Sequence, residues 1–303
     1  MKKLVYIFAF LVFTAGLFAQ QPHVIVLGVA QDGGYPHLGC EKECCTKAWA
    51  NDSLKKNVVA LALVDPIEKK WYLFEATPDI HKQLQLFKTL TKGIYNYLPS
   101  GIFITHAHIG HYTGLMQLGR EVFNTSQVPV YVLPKLKLFL ETNAPWSQLV
   151  KLNNISIAVL DTAKSVSLGN IQVNAFTVPH RDEFSETAGF KIITGSKSYL
   201  FIPDIDKWQK WNRSIIEEVK KADHAFIDAT FYEIDELKGR NISEVPHPLV
   251  SETIDVFVKE KPDVRAKIVF IHFNHTNKLM RDKIVKEKVK QQGFRVAEEG
   301  AKY

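Results

Sequence analysis

Three histidines lie within six residues of the chain, at His106, His108 and His111. They follow an apolar run, Gly101–Thr105, that is typical of a β-strand, and they precede a segment with helical spacing. Alternation along an extended strand directs His106 and His108 to one side, and His111 can point to the same place after the bend. Neutral imidazoles at a strand end are good ligands for zinc and similar metals. A group of surface or capping histidines is the alternative, but this close spacing favours a metal site.

Later apolar runs also end in residues that can bind a metal, namely His180, Asp204 and His272. A catalytic metal normally takes its ligands from several segments of the chain. Taken singly, each could be a loop residue, and Asp204 could instead cap a helix beginning near Ile205. Together with the histidine triplet, they predict a metal centre at one rim of a sheet core.

The elements that must position these residues are mostly strands. Eleven short runs rich in β-branched residues predict them. The runs are His23–Val29, Val58–Val64, Trp71–Glu75, Gly101–Thr105, Val128–Val132, Ile155–Leu160, Ile171–Val178, Ala188–Ile193, Ser198–Ile202, His224–Ile227 and Lys267–His272. Helical spacing marks Ile80–Phe87, His111–Leu118, Ile205–Val219, Leu249–Val258 and Lys278–Gln291. Strands grouped between helices favour a two-sheet core with helices outside over a strictly alternating parallel sheet.

Composition limits the classes of protein that the chain can belong to. Its 303 residues are 46% hydrophobic and 23% charged, which excludes disordered and collagen-like chains and allows a sizeable core. The formal net charge of +6 is too small to indicate nucleic-acid binding. Three cysteines, an odd number, argue against a fully paired disulfide framework.

The first residues predict export. Met1-Lys2-Lys3 is a short basic start, and Leu4–Phe18 is an almost unbroken apolar run. This pattern predicts a signal peptide at residues 1–19, a single domain at 20–303, and a periplasmic or secreted protein without stable membrane insertion after cleavage. An uncleaved anchor is the alternative, although the run is shorter than the roughly 20 residues that span a bilayer.

The segment from His106 to His111, followed in order by His180, Asp204 and His272, resembles the metallo-β-lactamase-fold hydrolase superfamily. The resemblance implies an α/β fold, an αββα sandwich of two mixed β-sheets flanked by helices, with a one- or two-metal site at the sheet edge. It implies that His106, His108 and His180 hold the first metal. It also implies that His111 and His272 hold the second, with Asp204 bridging the two and serving as the catalytic carboxylate.

Gly110 departs from the superfamily pattern, which usually has aspartate between the second and third histidines. That aspartate is a ligand of the second metal, so its absence weakens the second site unless another group replaces it. Asp32 and Asp206 are the candidate substitutes, and the sequence does not choose between them.

Three further segments resemble the pyrroloquinoline-quinone biosynthesis protein B family. They are the glycine-rich stretch Leu27–Pro36, the stretch Trp71–Ile80 and the stretch Phe270–Asn277. That family commonly lacks the complete histidine triplet, whereas this chain has all three histidines and lacks the aspartate. The resemblance therefore indicates a relative of this family without establishing a role in quinone biosynthesis.

The cysteines lie together on one short segment, at Cys40, Cys44 and Cys45. The segment is similar to the cysteine loop of the phosphonate-pathway cyclic-phosphate phosphodiesterases, which a histidine three residues after the last catalytic one completes. His275 has that spacing from His272. The resemblance implies that these four residues bind a structural zinc, separate from the catalytic metals. A disulfide with one leftover thiol is the alternative in an oxidising compartment.

These features predict an exported metal-dependent hydrolase that acts on a small-molecule substrate. A catalytic zinc lowers the pKa of bound water from 15.7 to about 7 and supplies a metal-bound hydroxide. One or two zinc ions are expected, although manganese or iron also suits these ligands. The cysteine segment favours a phosphodiester over a lactone or lactam. The alternatives are an iron-dependent oxygenase of cofactor biosynthesis, similar to the quinone-biosynthesis family, and a metal-binding protein without turnover.

Two further residues have expected roles beside the metals. Asp228 is expected to orient a ligand imidazole, with a helix or turn cap as the alternative. His247 is expected to contact the substrate, with an exposed turn as the alternative. Loops at residues 182–187 and 238–248 are expected to cover the rim and set specificity.

Overall fold

Alternating apolar residues of the first strand face two different cores. The computed structural model describes residues 21–237, 241 and 245–303. In β1 (His23–Gly28), Val24 and Val26 face the core between two β-sheets, whereas Ile25 and Leu27 face a second core under the helices. A strand buried on both faces in this way belongs to a sheet covered on both sides. The predicted signal peptide, residues 1–19, lies outside the described residues, as does most of the loop predicted at 238–248.

The first sheet contains six strands in sequence order. The pairs β1–β2 and β2–β3 are antiparallel, and the remaining pairs up to β6 are parallel. After β1 these strands are β2 (Ala60–Asp65), β3 (Lys70–Phe74), β4 (Ile102–Phe103), β5 (Val128–Val132) and β6 (Ile155–Val159).

The second sheet has seven strands in the order β13-β12-β11-β10-β9-β8-β7, antiparallel from β7 to β10 and parallel from β10 to β13. The strands are β7 (Ser165–Leu168), β8 (Ile171–Val178), β9 (Thr187–Ile193), β10 (Ser198–Ile202), β11 (His224–Asp228), β12 (Ile268–Ile271) and β13 (Arg295–Val296). Aromatic rings join the two sheets: the Phe74 ring lies 4.9 Å from Phe103 in its own sheet and 5.4 Å from Phe190 in the other.

Ten α-helices in the described residues cover the two sheets. They are α1 (Glu43–Ala50), α2 (Ile80–Leu90), α3 (Ile109–Tyr112), α4 (Pro134–Thr142), α5 (Trp146–Lys151), α6 (Ile215–Lys220), α7 (Val250–Phe257), α8 (Pro262–Arg265), α9 (Lys278–Arg281) and α10 (Lys283–Gln291). The predicted αββα sandwich is confirmed. Within the part of the chain that the structure describes, none of the helices has the length and apolar character needed to cross a bilayer.

Three predicted helices differ from the structure. The segment predicted as a helix over His111–Leu118 is the end of α3 followed by a 3₁₀ helix over Thr113–Leu118. In the other two, polar side chains cap new helix starts. The helix predicted over Ile205–Val219 is wrong: a 3₁₀ turn at Trp208–Lys210 is followed by α6, whose start is capped by Ser214. Asp204 therefore caps no helix near Ile205. The helix predicted over Lys278–Gln291 divides at Asp282, whose Oδ1 accepts hydrogen bonds from the first N–H groups of α10.

The ends of four strands position the candidate metal ligands. His106 lies three residues beyond β4, His180 and Asp204 each lie two residues beyond β8 and β10, and His272 directly follows β12. His272 has a backbone φ of 68°, a left-handed conformation that costs a non-glycine residue about 1–3 kcal/mol and is typical of functional sites.

Candidate metal centre

Four side chains from three segments converge at the first cluster: His106, His108, His180 and Asp204. One ligand atom from each lies within 4.8 Å of all the others. His106 Nε2 lies 2.8 Å from His108 Nδ1 and 3.4 Å from Asp204 Oδ2. His180 Nε2 lies 3.3 Å from both His108 Nδ1 and Asp204 Oδ1. The geometry brings together the residues predicted for the first metal.

A second cluster adjoins the first and shares Asp204. His111 Nε2 lies 3.2 Å from Asp32 Oδ1, and His272 Nε2 lies 3.8 Å from the same oxygen. Asp204 Oδ2 lies 3.6 Å from His111 Nε2 and 3.9 Å from His272 Nε2. The Asp204 carboxylate therefore faces both clusters. Of the two predicted substitutes, Asp32 belongs to this cluster, whereas both Asp206 oxygens bond elsewhere, to the Lys207 N–H and to Lys210 Nζ.

Several buried polar atoms of the two clusters form no hydrogen bond with the described residues. They are His111 Nε2, His272 Nε2, Asp32 Oδ1 and Asp204 Oδ1. A buried polar atom without a partner costs about 1–3 kcal/mol. A cation among His111 Nε2, His272 Nε2 and Asp32 Oδ1 would satisfy those three atoms, and imidazole nitrogen with carboxylate oxygen is a donor set that zinc, manganese and iron accept. The residues present therefore fit a metal.

The charges of the site also suit a cation. Burial by itself raises the pKa of Asp204, but the imidazoles of His180, His247 and His272 outweigh it and hold that pKa well below its usual range. Burial lowers the pKa of His106 well below its ordinary value, which keeps the ring neutral and able to donate a lone pair. The cluster thus presents an anionic carboxylate beside a neutral imidazole.

One buried carboxylate supports a histidine of each cluster. The Thr105 hydroxyl donates to Glu75 Oε1 at 2.6 Å and lies 2.8 Å from His106 Nδ1. Glu75 Oε1 also lies 3.3 Å from His111 Nδ1. Partners of this kind fix the tautomer and orientation of ligand imidazoles. No role for Glu75 or Thr105 was predicted from the sequence. A role for Glu75 was predictable from the sequence, because Glu75 directly follows a buried strand, as the candidate ligands do.

Asp228 and Thr230 form the matching support at the other sheet. The Thr230 hydroxyl donates to Asp228 Oδ1 at 2.7 Å and lies 2.9 Å from His272 Nδ1. Asp228 therefore acts on His272 through Thr230. His247 Nδ1 lies 2.8 Å from Asp228 Oδ2 and 3.1 Å from Asp204 Oδ1. Burial lowers the pKa of His247, but these two carboxylates outweigh it and raise that pKa to about 10. His247 is 5% exposed, so the alternative of an exposed turn is wrong.

Residues 70–273 match the family described as the beta-lactamase superfamily domain, a match that spans more than half of the chain. The chain belongs to the β-lactamase superfamily. Curated relatives of this superfamily member include coenzyme PQQ synthesis protein B of Gluconobacter oxydans (strain 621H), which is 28% identical over 91% of this chain and 96% of the relative. The protein of the same name from Methylorubrum extorquens (strain PA1) is 24% identical over 92% of this chain and 98% of the relative.

Solved structures share the β-lactamase superfamily fold of this chain. Zn²⁺-bound PqqB from Methylobacterium extorquens superposes with a TM-score of 0.76 at 21% identity, over 93% of this chain and 99% of that one. A diphosphatase from the PhnP family superposes with a TM-score of 0.68 at 19% identity, over 94% and 97%. The predicted fold and the predicted resemblance to the quinone-biosynthesis protein B family are confirmed.

One loop closes the rim of this β-lactamase superfamily site. Glu183 Oε2 lies 3.0 Å from His108 Nε2, and Ser185 Oγ accepts a hydrogen bond from the Ala107 N–H at 2.9 Å. Both residues belong to the loop predicted at 182–187. The Phe184 side chain of the same loop is 61% exposed beside the site. The contact between Glu183 and His108 joins residues 75 positions apart, and no sequence pattern predicts it.

The cysteine segment of this β-lactamase superfamily chain forms a separate cluster. Ligand atoms of Cys40, Cys44, Cys45 and His275 lie within 4.8 Å of one another. Cys44 and Cys45 are adjacent in sequence, but both lie in the first turn of α1 and both sulfurs reach the cluster. All three cysteines are free, and the sulfurs of Cys40 and Cys44 lie 3.6 Å apart, so the predicted alternative of a disulfide is absent. Three thiols and one imidazole fit the donor set of a structural zinc.

Proposed function

We propose that this chain is a metal-dependent hydrolase that attacks a small-molecule substrate with water, with a phosphodiester as the favoured substrate class. The observation that carries the proposal is the convergence of five histidines and two aspartates, among which His111 Nε2, His272 Nε2 and Asp32 Oδ1 are buried and form no hydrogen bond with the described residues. The Zn²⁺ in the related PqqB structure supports zinc as the ion. When bound, such an ion makes water acidic enough to attack an ester near neutral pH.

The chain's own residues have distinct roles in the proposed reaction. His106, His108 and His180 would hold one ion, and His111 and His272 would hold the other. Asp204 Oδ2 lies 3.4 Å from His106 Nε2 and 3.6 Å from His111 Nε2, and Oδ1 lies 3.3 Å from His180 Nε2 and 3.1 Å from His247 Nδ1. We assign to this carboxylate the acceptance of a proton from the attacking water.

His247 and the loop at 182–187 form the side of the site where a substrate would lie. His247 is anchored through Nδ1 by Asp228, which leaves its Nε2 edge to contact the substrate. Glu183 and Phe184 provide a carboxylate and an exposed aromatic ring at the rim. These positions are where we place substrate selection.

Turnover of bis(p-nitrophenyl) phosphate by the full chain tests this function. We expect hydrolysis after loading with zinc or manganese, loss after chelation, and recovery when the metal returns. Because removing even an outer partner of a metal ligand costs roughly 10–100-fold, His106→Ala should lose more than that. His81→Ala, on the exposed side of α2, is the matched control and should keep full activity. A zinc-loaded chain that hydrolyses no phosphodiester, lactone or lactam would overturn the proposal.

A second candidate is an iron-dependent oxygenase of cofactor biosynthesis. The alignment with coenzyme PQQ synthesis protein B over more than nine-tenths of this chain supports it, and histidine with carboxylate also suits iron. Oxygen uptake by the iron-loaded chain with a peptide or quinone-precursor substrate, without phosphodiester hydrolysis, would favour this candidate. Firm metal binding with neither activity would indicate a binding protein.

We also propose that the protein is exported, on the pattern of its first residues. Mass spectrometry of the protein from the periplasm or medium should show an N-terminus near residue 20. An intact Met1 in the membrane fraction would indicate an uncleaved anchor instead.

A further inference from the structure

Asp32 occupies the space that a side chain at position 110 would need. A Cβ atom built on Gly110 would lie 2.2 Å from Asp32 Oδ1 and 2.6 Å from Asp32 Cα. Both distances are far inside van der Waals contact. The loop after β1 and the turn after His108 can therefore approach this closely only because residue 110 is glycine. The superfamily motif usually has an aspartate at that same position.

The Asp32 carboxylate points at the second cluster. Its Oδ1 is buried, lies 3.2 Å from His111 Nε2 and 3.8 Å from His272 Nε2, and forms no hydrogen bond with any described residue. A carboxylate oxygen is thus held between two imidazoles, as a metal ligand requires.

The backbone around Asp32 is fixed to the strand that carries His272. The Gln31 N–H donates to the Phe273 carbonyl at 2.8 Å, and the Phe273 N–H donates to the Val29 carbonyl at 2.8 Å. Asn274 Nδ2 donates to Gln31 Oε1 at 2.5 Å. These bonds set the position of Asp32 relative to His272, so the carboxylate is part of a built site.

We infer that Asp32 is the carboxylate ligand of the second metal, in the place that the superfamily motif gives to an aspartate at position 110. Gly110 is then a requirement of the site, since any larger residue there would displace Asp32. The inference rests on the metal binding in the proposed function, and it does not depend on the reaction catalysed.

Zinc binding by the full chain tests the inference without measuring turnover. Zinc content after dialysis and competition with a chromophoric chelator would be measured for the native chain, Asp32→Asn and Asp206→Asn. We expect Asp32→Asn to hold one zinc fewer per chain, or to bind it more weakly by over ~10-fold, because lost outer partners alone cost roughly 10–100-fold. Asp206→Asn is the matched control and should bind as the native chain does. Equal zinc content and affinity in Asp32→Asn and the native chain would overturn the inference.

Gly110→Ala tests the same ligand with Asp32 intact. The added Cβ should push the carboxylate away and weaken the same zinc, whereas adding Gly110→Ala to Asp32→Asn should cause little further loss, since the two changes act on one ligand. Full affinity in Gly110→Ala, or additive losses in the double variant, would contradict the inference. If zinc is lost as expected but no variant hydrolyses any substrate, the proposed function fails and the assignment of Asp32 stands.

Discussion

Glu75 Oε1 lies 3.3 Å from His111 Nδ1, and both side chains are fully buried. The same carboxylate accepts a hydrogen bond from the Thr105 hydroxyl, which contacts His106. A single residue at the end of β3 therefore orients one imidazole in each cluster. The two clusters share this support as well as the Asp204 carboxylate.

Glu75→Gln should weaken metal binding at both clusters. Glutamine keeps the shape of the side chain but removes the charge that faces His111, and such outer partners contribute roughly 10–100-fold to metal affinity. Chelator competition with zinc would measure the loss. Glu68→Gln, at an exposed carboxylate, is the control. Loss at only one cluster would contradict the shared support.

Thr230→Val should act on the second cluster alone. Valine preserves the shape of threonine but removes the hydroxyl that links Asp228 to His272. We expect the zinc at His111 and His272 to lose roughly 10–100-fold in affinity while the zinc at His106, His108 and His180 is retained. Thr89→Val on the exposed face of α2 is the control. Equal losses of both ions would show that Thr230 has a general structural role instead.

The cysteine cluster should hold its own zinc. Replacing Cys40, Cys44 and Cys45 together with serine should remove one zinc per chain and lower the Tm, because a structural zinc contributes folding free energy. His275→Ala should remove the same zinc, whereas His106→Ala should leave it bound. Elemental analysis of the purified variants measures each content. A triple serine variant with the full zinc content would refute the assignment.

Glu299 should make stability depend on pH. Burial raises the pKa of Glu299 to about 7, partly opposed by the hydrogen bond from the Asn57 N–H. Because the folded state binds this proton more tightly than the unfolded chain does, the contribution of Glu299 to stability is full below pH about 4.3 and is lost as pH rises through about 7. The loss is on the order of 3 kcal/mol.

Urea unfolding in chelator at pH 5 and pH 8 checks this contribution. From pH 5 to pH 8, the free energy of unfolding of the native chain should fall relative to that of Glu299→Gln. Glutamine stays neutral over this range, whereas Glu299 ionises. Glu298→Gln, at the exposed neighbour, should follow the native chain. Parallel pH profiles for Glu299→Gln and the native chain would contradict the shifted pKa.

Local sequence patterns predicted most of the sheet core but missed the two outer strands of the second sheet, β7 and β13. All eleven predicted strands are present, because β-branched apolar runs favour strands buried on both faces. Strands β7 and β13 were missed, since one has alternating serines and the other has only two residues. Helix α1 was missed because its short cysteine-containing sequence has no clear apolar periodicity.

The site was predictable where one segment supplied several ligands and much less so where ligands come from distant loops. The spacing of His106, His108 and His111 marked the centre from sequence alone. Only the three-dimensional path of the loop after β1 separates Asp32 from Asp206 as the second-cluster carboxylate. Glu183 contacts His108 from a loop whose conformation no local sequence pattern predicts.

Anomalous diffraction at the zinc edge from crystals of the zinc-loaded full chain tests the central claim most directly. We expect one peak among His106, His108 and His180 and a second among Asp32, His111 and His272, with the Asp204 carboxylate between them. A map with a peak at the cysteine cluster but none among these histidines would contradict the metal centre and the hydrolase proposal that depends on it.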